Sequence, residues 1–245
     1  AAAEIRPVTL VLSLRRIEDF FLSMYLHQVK VGTVQQEATA YFAGRTRWIR
    51  NFFAAIAALR EAGAARLETP IYRSGAGFLG RLYPLLGLTP SEIALLPGQE
   101  RSNVQLGLKA QALLLGLPRF SAETGLAAPV RRSLVAFLER NPGLLEGETG
   151  RYDLIPAELR AEIRATALAA AAENGVAAYG EAFAAAPTPA PPLRRLDYGL
   201  LSPADIRRVA EAGRAAGVLE EAADGRAGAS ASVMRPDRVA PGAER

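Results

Sequence analysis

Two polar residues near the start of the chain, Arg15 and Ser23, have types and a spacing that suit the binding of a phosphate group. Arginine presents a planar fork of N–H donors to a phosphate, and serine adds a single short hydroxyl donor. The eight positions from Arg15 to Ser23 span about two turns of a helix. If Arg15 lies at the start of a helix, both side chains can therefore close on one phosphate.

The segments on either side of Arg15 predict the elements that position it. Residues 8–14 form a short apolar run rich in β-formers, which is typical of a strand buried on both faces of a parallel sheet. From Ile17 to Tyr25 the apolar residues recur at helical spacing. The sequence thus predicts a strand, then Arg15 and Arg16, then a helix. In open α/β sheets, ligands bind at the carboxyl ends of the strands.

This segment resembles the 3′-phosphate-binding segment of sulfotransferases that use 3′-phosphoadenosine 5′-phosphosulfate (PAPS). In that family a strand ends in an arginine, and a serine follows on the next helix. Arg15 and Ser23 occupy those positions, and Asp19 falls where the family often has an acid. The resemblance implies that Arg15 and Ser23 hold the 3′-phosphate of the nucleotide. The spacing by itself is equally compatible with a plain strand–helix unit that has solvated arginines.

Later segments follow the order of the same family. A helix at 45–62 and an alternating strand at 65–72 predict a β-α-α-β order that suits a parallel sheet. The loop 97–104 is similar to the family's last nucleotide-contacting loop, which implies that Arg101 donates to the nucleotide. A long helix from 157 to about 183, interrupted at Gly175, resembles the family's C-terminal end.

The expected fold is therefore α/β, with a partial P-loop NTPase-like parallel sheet and a largely helical C-terminal half. Residues 8–14 are expected to form a central strand, with residues 65–72 beside it. Thr89 and Ser202 are predicted N-caps, because each is followed by proline, and Thr89 also has Glu92 three positions on.

The family's N-terminal loop, which grips the 5′-phosphosulfate, has no counterpart in this sequence. The chain begins at Ala1 without a methionine, which fits either a processed mature end or a fragment. The resemblance favours a fragment, the C-terminal part of a sulfotransferase. No catalytic residue is assigned for this reason. His27 is expected to be a packed or surface residue, and residues 75–80 a flexible approach to a helix rather than a dinucleotide-binding motif.

Composition excludes several classes of protein. The 245 residues suffice for a substantial core, and the net charge of +4 is too small to argue for nucleic-acid binding. The absence of cysteine excludes disulfides and thiolate zinc sites, and the single histidine excludes a histidine cluster for a metal. No apolar run reaches the length of a membrane span. We expect a cytoplasmic protein that needs no metal.

The predicted organisation is one α/β domain at 1–185, a proline-rich linker at 186–200, a helix at 201–221 and a disordered tail at 222–245. The expected function is transfer of a sulfuryl group from PAPS, the co-substrate, to a hydroxyl or amine of a sugar, lipid or small molecule. Two alternatives stay open: a catalytically inactive nucleotide-binding relative, and a helical interaction protein. The acceptor is not predicted, because acceptor pockets are built from variable loops.

Overall fold

A computed structural model describes residues 8–62, 65–72, 82–95, 106–145, 153–185 and 192–221. In these ranges the chain is mixed α/β and mostly helical. The strands are β1 (Val8–Val11) and β2 (Ala65–Glu68). The helices are α1 (Ile17–Val31), α2 (Ala38–Ala43), α3 (Thr46–Glu61), α4 (Pro90–Ala94), α5 (Leu108–Leu115), α6 (Leu117–Thr124), α7 (Arg131–Arg140), α8 (Ala157–Glu173), α9 (Ala177–Phe183) and α10 (Pro203–Ala215). Short 3-10 helices cover Pro142–Leu145 and Tyr198–Leu200.

The two strands pair in parallel, as the sequence predicts. Val8 lies opposite Ala65, and Leu14 forms a further parallel bridge with Ile71. Backbone hydrogen bonds continue to the end of this pairing, from Leu14 N to Pro70 O (2.9 Å) and from Tyr72 N to Leu14 O (2.6 Å). The crossover between the strands contains α1, α2 and α3, because parallel neighbours cannot be joined by a tight turn.

The predicted burial of residues 8–14 on both faces is wrong, and in the described ranges β1 is not central, since it pairs there with β2 alone. Leu14 is fully buried, whereas Leu10 is 41% exposed and Ser13 is exposed. Successive side chains of a strand point to opposite faces. Leu10 lies on the same face as Leu14, and Ser13 lies on the other, so neither face is buried along its whole length.

Helix α1 lies at the centre of the helical part. Its buried side chains recur every four residues, at Ile17, Phe21, Tyr25 and Val29. This spacing places them on one stripe, which must be covered by other elements. α1 packs against α2, α5, α7 and α8, so it contacts elements from both halves of the chain.

Helix α3 matches the predicted helix to within one residue at each end, but its buried face is rotated. The sequence favours a core face with Trp48, Phe52, Ile56 and Leu59. In the structure Trp48 and Phe52 are half-buried and Leu59 is exposed, whereas the buried residues are Ile49, Phe53 and Ile56. The rotation follows from tertiary packing, since α3 lies against α8 and β2.

Glycines decide where two of the later helices end. The predicted helix from 157 to 183 is divided at Gly175, whose φ of +67° ends α8 and lets α9 begin at Ala177. α10 ends at Ala215 rather than near 221, because Gly217 has φ of +65° and Leu219 folds back onto Gly213. The predicted caps at Thr89 and Ser202 are both confirmed as capping boxes.

Two segments expected to be irregular are ordered. α2 (Ala38–Ala43) begins within residues 35–42, for which the sequence shows no clear periodicity. Within the predicted linker 186–200, the described residues place Leu196 and Tyr198 in the core. Residues 186–191 and the predicted tail at 222–245 lie outside the described residues. Among the helices that the structure describes, none has the length and apolar character needed to cross a bilayer.

Candidate functional site

Arg15 lies at the carboxyl end of the parallel strand pair, as the sequence predicts. It follows Leu14, whose bridge partner Ile71 precedes Tyr72. The Cζ atom of Arg15 is 5.3 Å from the centroid of the Tyr72 ring, within the range of a cation–π contact. Both side chains are half-buried. The edge of the sheet where ligands bind in α/β proteins therefore carries a positive charge held by an aromatic ring.

Ser23 is exposed on α1, on the side away from the buried stripe. Within the described residues its hydroxyl makes no hydrogen bond, and neither does the guanidinium of Arg15. The two side chains thus have unused donors but do not bond to each other. Arg101, the third predicted nucleotide contact, lies outside the described residues, as do residues 75–80.

Arg16 has a different role from its neighbour. Its Nη1 donates a 2.8 Å hydrogen bond to the carbonyl oxygen of Ala185, and its Cζ lies 5.3 Å from the centroid of the Phe183 ring. Its side chain is only 15% exposed. Arg16 therefore packs on the end of α9, so this one of the two arginines is not solvated.

The first turn of α1 is joined to α8 by two arginines that lie one turn apart. Arg164 Nε donates a 2.8 Å hydrogen bond to Oε1 of the buried Glu18. Arg160 Nη1 lies 3.6 Å from Asp19 Oδ1, and Arg160 Nε lies 2.6 Å from Asp153 Oδ2. These ion pairs hold the segment that directly follows Arg15.

Tyr179 of α9 also contacts the first turn of α1. Its hydroxyl oxygen accepts a 3.0 Å hydrogen bond from the backbone N–H of Ile17, one of the first N–H groups of α1. Burial raises the pKa of Tyr179 well above its usual value, so the hydroxyl stays protonated at any ordinary pH. Contacts from α8 and α9 therefore determine how α1 leaves the strand.

His27 is exposed on α1, one turn beyond Ser23, which confirms it as a surface residue. Nothing around it among the described residues indicates a proton-transfer role. In the same ranges no three histidine, aspartate or glutamate side chains are grouped so that they could hold a metal ion.

The residues that sequence reasoning missed are those that hold α1 from a distance: Asp153, Arg160, Arg164 and Tyr179. Glu18 and Arg164, for example, are 146 positions apart. The available signal was the pair Arg160 and Arg164, two arginines at i and i+4 in an otherwise alanine-rich helix. That spacing predicts a shared face but does not identify the partner.

Comparison with known proteins gives no match to this chain among family models, curated proteins or solved structures.

Proposed function

We propose that this chain carries the 3′-phosphate-binding part of a PAPS-dependent sulfotransferase. In this proposal Arg15 and Ser23 hold the 3′-phosphate and Arg101 adds a further donor. β1 and β2 are then two strands of a P-loop NTPase-like sheet. The observation that supports it most is the position of Arg15, directly after the Leu14–Ile71 bridge at the carboxyl end of the parallel pairing and 5.3 Å from the Tyr72 ring centroid.

The state of the Arg15 guanidinium suits the binding of an anion. Contact with the face of Tyr72 orients the cation without using its N–H groups, and Arg15 makes no hydrogen bond within the described residues. Among the described residues, no other group uses the donors that a phosphate oxygen would accept from. Half-burial strengthens such a contact, because water screens a partly desolvated charge less.

The proposed reaction is a displacement at sulfur. A hydroxyl or amine of a sugar, lipid or small molecule attacks the sulfuryl group of PAPS and loses a proton, and adenosine 3′,5′-bisphosphate leaves. Arg15 and Ser23 bind and orient the nucleotide and take no part in bond making. The proposal places this reaction in the cytoplasm and uses neither a metal ion nor nucleic acid.

Calorimetric titration of the 245-residue chain with adenosine 3′,5′-bisphosphate and with 5′-AMP tests the proposal. The two ligands differ in the phosphate that Arg15 and Ser23 contact, so we expect the bisphosphate to bind more tightly. A charge-assisted contact contributes roughly 1.5–3 kcal/mol, so Arg15→Ala should weaken bisphosphate binding about tenfold to a hundredfold. Ser23→Ala should weaken it about fivefold, because a neutral hydroxyl contributes about 1 kcal/mol. Affinity for AMP should stay unchanged.

Arg45→Ala is a matched control, because Arg45 also lies over a tyrosine, with its Cζ 4.1 Å from the Tyr41 ring centroid. It removes the same charge and the same kind of contact away from the sheet edge and should leave both affinities unchanged. The proposal is wrong if the bisphosphate and AMP bind alike, or if Arg15→Ala changes neither.

A further inference from the structure

The carboxylate of Asp19 lies between two arginines from distant parts of the chain. Its Oδ2 is 3.9 Å from Arg16 Nε, and its Oδ1 is 3.6 Å from Arg160 Nη1. Asp19 is 44% exposed, whereas the Arg160 side chain is only 10% exposed. An accessible carboxylate thus connects the residue before α1 with a largely buried cation in α8.

Arg160 has few directed contacts of its own. Its Nε approaches Asp153 Oδ2 to 2.6 Å, yet within the described residues none of its three guanidinium nitrogens makes a well-aligned hydrogen bond. The guanidinium is therefore held chiefly by the charges of Asp153 and Asp19 on either side. Without the Asp19 charge, Arg160 would still pair with Asp153, but its electrostatic attraction to the first turn of α1 would be lost.

We infer that Asp19 is a positioning residue of the proposed phosphate site. Through Arg16 and Arg160 it fixes the first turn of α1, and hence the placement of Arg15, which adjoins Arg16, relative to Ser23, which lies one turn beyond Asp19. The identity of the ligand in this inference rests on the proposed function. The ion pairs around Asp19 are present in the structure whether or not that function is correct.

The direction of the change in affinity separates this role from a purely electrostatic one. Asp19 is an anion close to a site proposed for a phosphate, and like charges repel. If Asp19 acted through its charge alone, Asp19→Asn would tighten bisphosphate binding. If Asp19 positions the site, the same substitution weakens binding, because the first turn of α1 no longer holds Arg15 and Ser23 in their relative positions.

Calorimetry of Asp19→Asn with adenosine 3′,5′-bisphosphate and 5′-AMP measures that direction. We expect bisphosphate binding about tenfold weaker, which is within the range for coupled neighbouring residues, and AMP binding unchanged. Asp19→Glu keeps the charge and should restore most of the affinity. Glu37→Gln is the charge-matched control, since Glu37 pairs at 3.2 Å with an exposed arginine, Arg195, and should change nothing. Unchanged or tighter binding by Asp19→Asn overturns the inference.

A second measurement needs no ligand. Trp48, the single tryptophan, stacks on Phe20 with centroids 5.6 Å apart and planes inclined by 17°. Phe20 directly follows Asp19, so movement of the first turn of α1 should alter Trp48 fluorescence in Asp19→Asn and not in Glu37→Gln. Unfolding curves establish that both variants are folded.

Together, the binding and fluorescence measurements separate a failure of the proposed function from a failure of the positioning role of Asp19. A wild-type chain that does not bind the bisphosphate refutes the proposed function, and the Trp48 signal then decides whether Asp19 holds the turn. A wild-type chain that binds, with Asp19→Asn changing neither affinity nor fluorescence, refutes the positioning role alone.

Discussion

Arg131 Nη1 donates a 2.7 Å hydrogen bond to the carbonyl oxygen of Val29, in the last turn of α1. Carbonyls in the last turn of a helix lack an intrahelical partner, and a cation at that end also interacts favourably with the helix dipole. Gly32 ends α1 with φ of +87° and leaves room for Arg131, because a Cβ there would lie 2.5 Å from Arg131 Nε. Arginines from later helices therefore hold both ends of α1.

Removal of this cap should weaken the whole fold. Arg131→Ala removes the shorter, charged donor to the Val29 carbonyl and leaves only the 3.2 Å bond from Gly32 N, so we expect a loss of about 1–2 kcal/mol in the free energy of unfolding, measured with urea. Arg132→Ala removes the same charge from an exposed position of the same turn and should change the free energy by less than about 0.5 kcal/mol. Equal losses in the two variants would show that the contact to Val29 is not the cause.

Two glycine substitutions should have opposite signs. A Cβ at Gly116 would lie 2.3 Å from Cδ2 of Tyr198, so Gly116→Ala should displace that buried ring and destabilise by about 1–3 kcal/mol. Gly180 lies within α9, and beyond its own helix backbone and chain neighbours no described atom lies within 4 Å of its Cβ position, so Gly180→Ala should stabilise by about 0.5–1 kcal/mol. Thermal unfolding of both variants checks this. If the melting temperature of Gly116→Ala equals or exceeds that of the wild type, close packing of Tyr198 on Gly116 does not limit the size of residue 116.

A fall in pH should lower the free energy of unfolding by protonating Asp205, the residue that caps the start of α10 together with Ser202. Burial alone would raise the pKa of this carboxyl, but hydrogen bonds from Lys109 and Ser202, with the charge of Lys109, hold it below its usual value. A lowered folded-state pKa means that Asp205 stabilises the fold above its unfolded pKa, about 3.9, and that this stability is lost as the pH falls through the folded pKa. Asp205→Asn should therefore be destabilised at neutral pH by about 1–2 kcal/mol, and the deficit should shrink as the pH falls below the unfolded pKa and through the lowered folded-state pKa of Asp205. Glu211→Gln, at an exposed position of the same helix, should follow the wild-type curve throughout.

Substitutions of the buried ion pair Arg160 and Asp153 should have strongly non-additive effects on the free energy of unfolding. Arg160→Met leaves a buried carboxylate without its cation, which typically costs about 3 kcal/mol or more. Adding Asp153→Asn should restore much of that loss, because the neutral amide can still accept the 3.0 Å hydrogen bond from Ile155 N. Urea unfolding of both single variants and the double variant gives the coupling. Additive losses would mean that the two side chains do not act as a pair.

The amino-acid sequence alone determined the features that depend on neighbouring residues. The strand before Arg15, the helix after it and the capping boxes at Thr89 and Ser202 arise from local spacing and local hydrogen bonds, and the structure has all of them. The parallel pairing of residues 8–14 with 65–72 followed from the intervening helices, which favour a crossover. The placement of Arg15 at the strand end came from the same reasoning.

Tertiary structure alone decided which way the two arginines turn and what holds them. Arg15 contacts Tyr72 and Arg16 contacts Ala185, and local sequence gives neither side chain a preference between those partners. Likewise Glu18 bonds to Arg164 across 146 positions, a pairing set by the docking of α8 on α1. Periodicity specifies that a helix has an apolar face, but its rotation depends on the surface that covers it. Buried charges select their partners only when that packing brings them together.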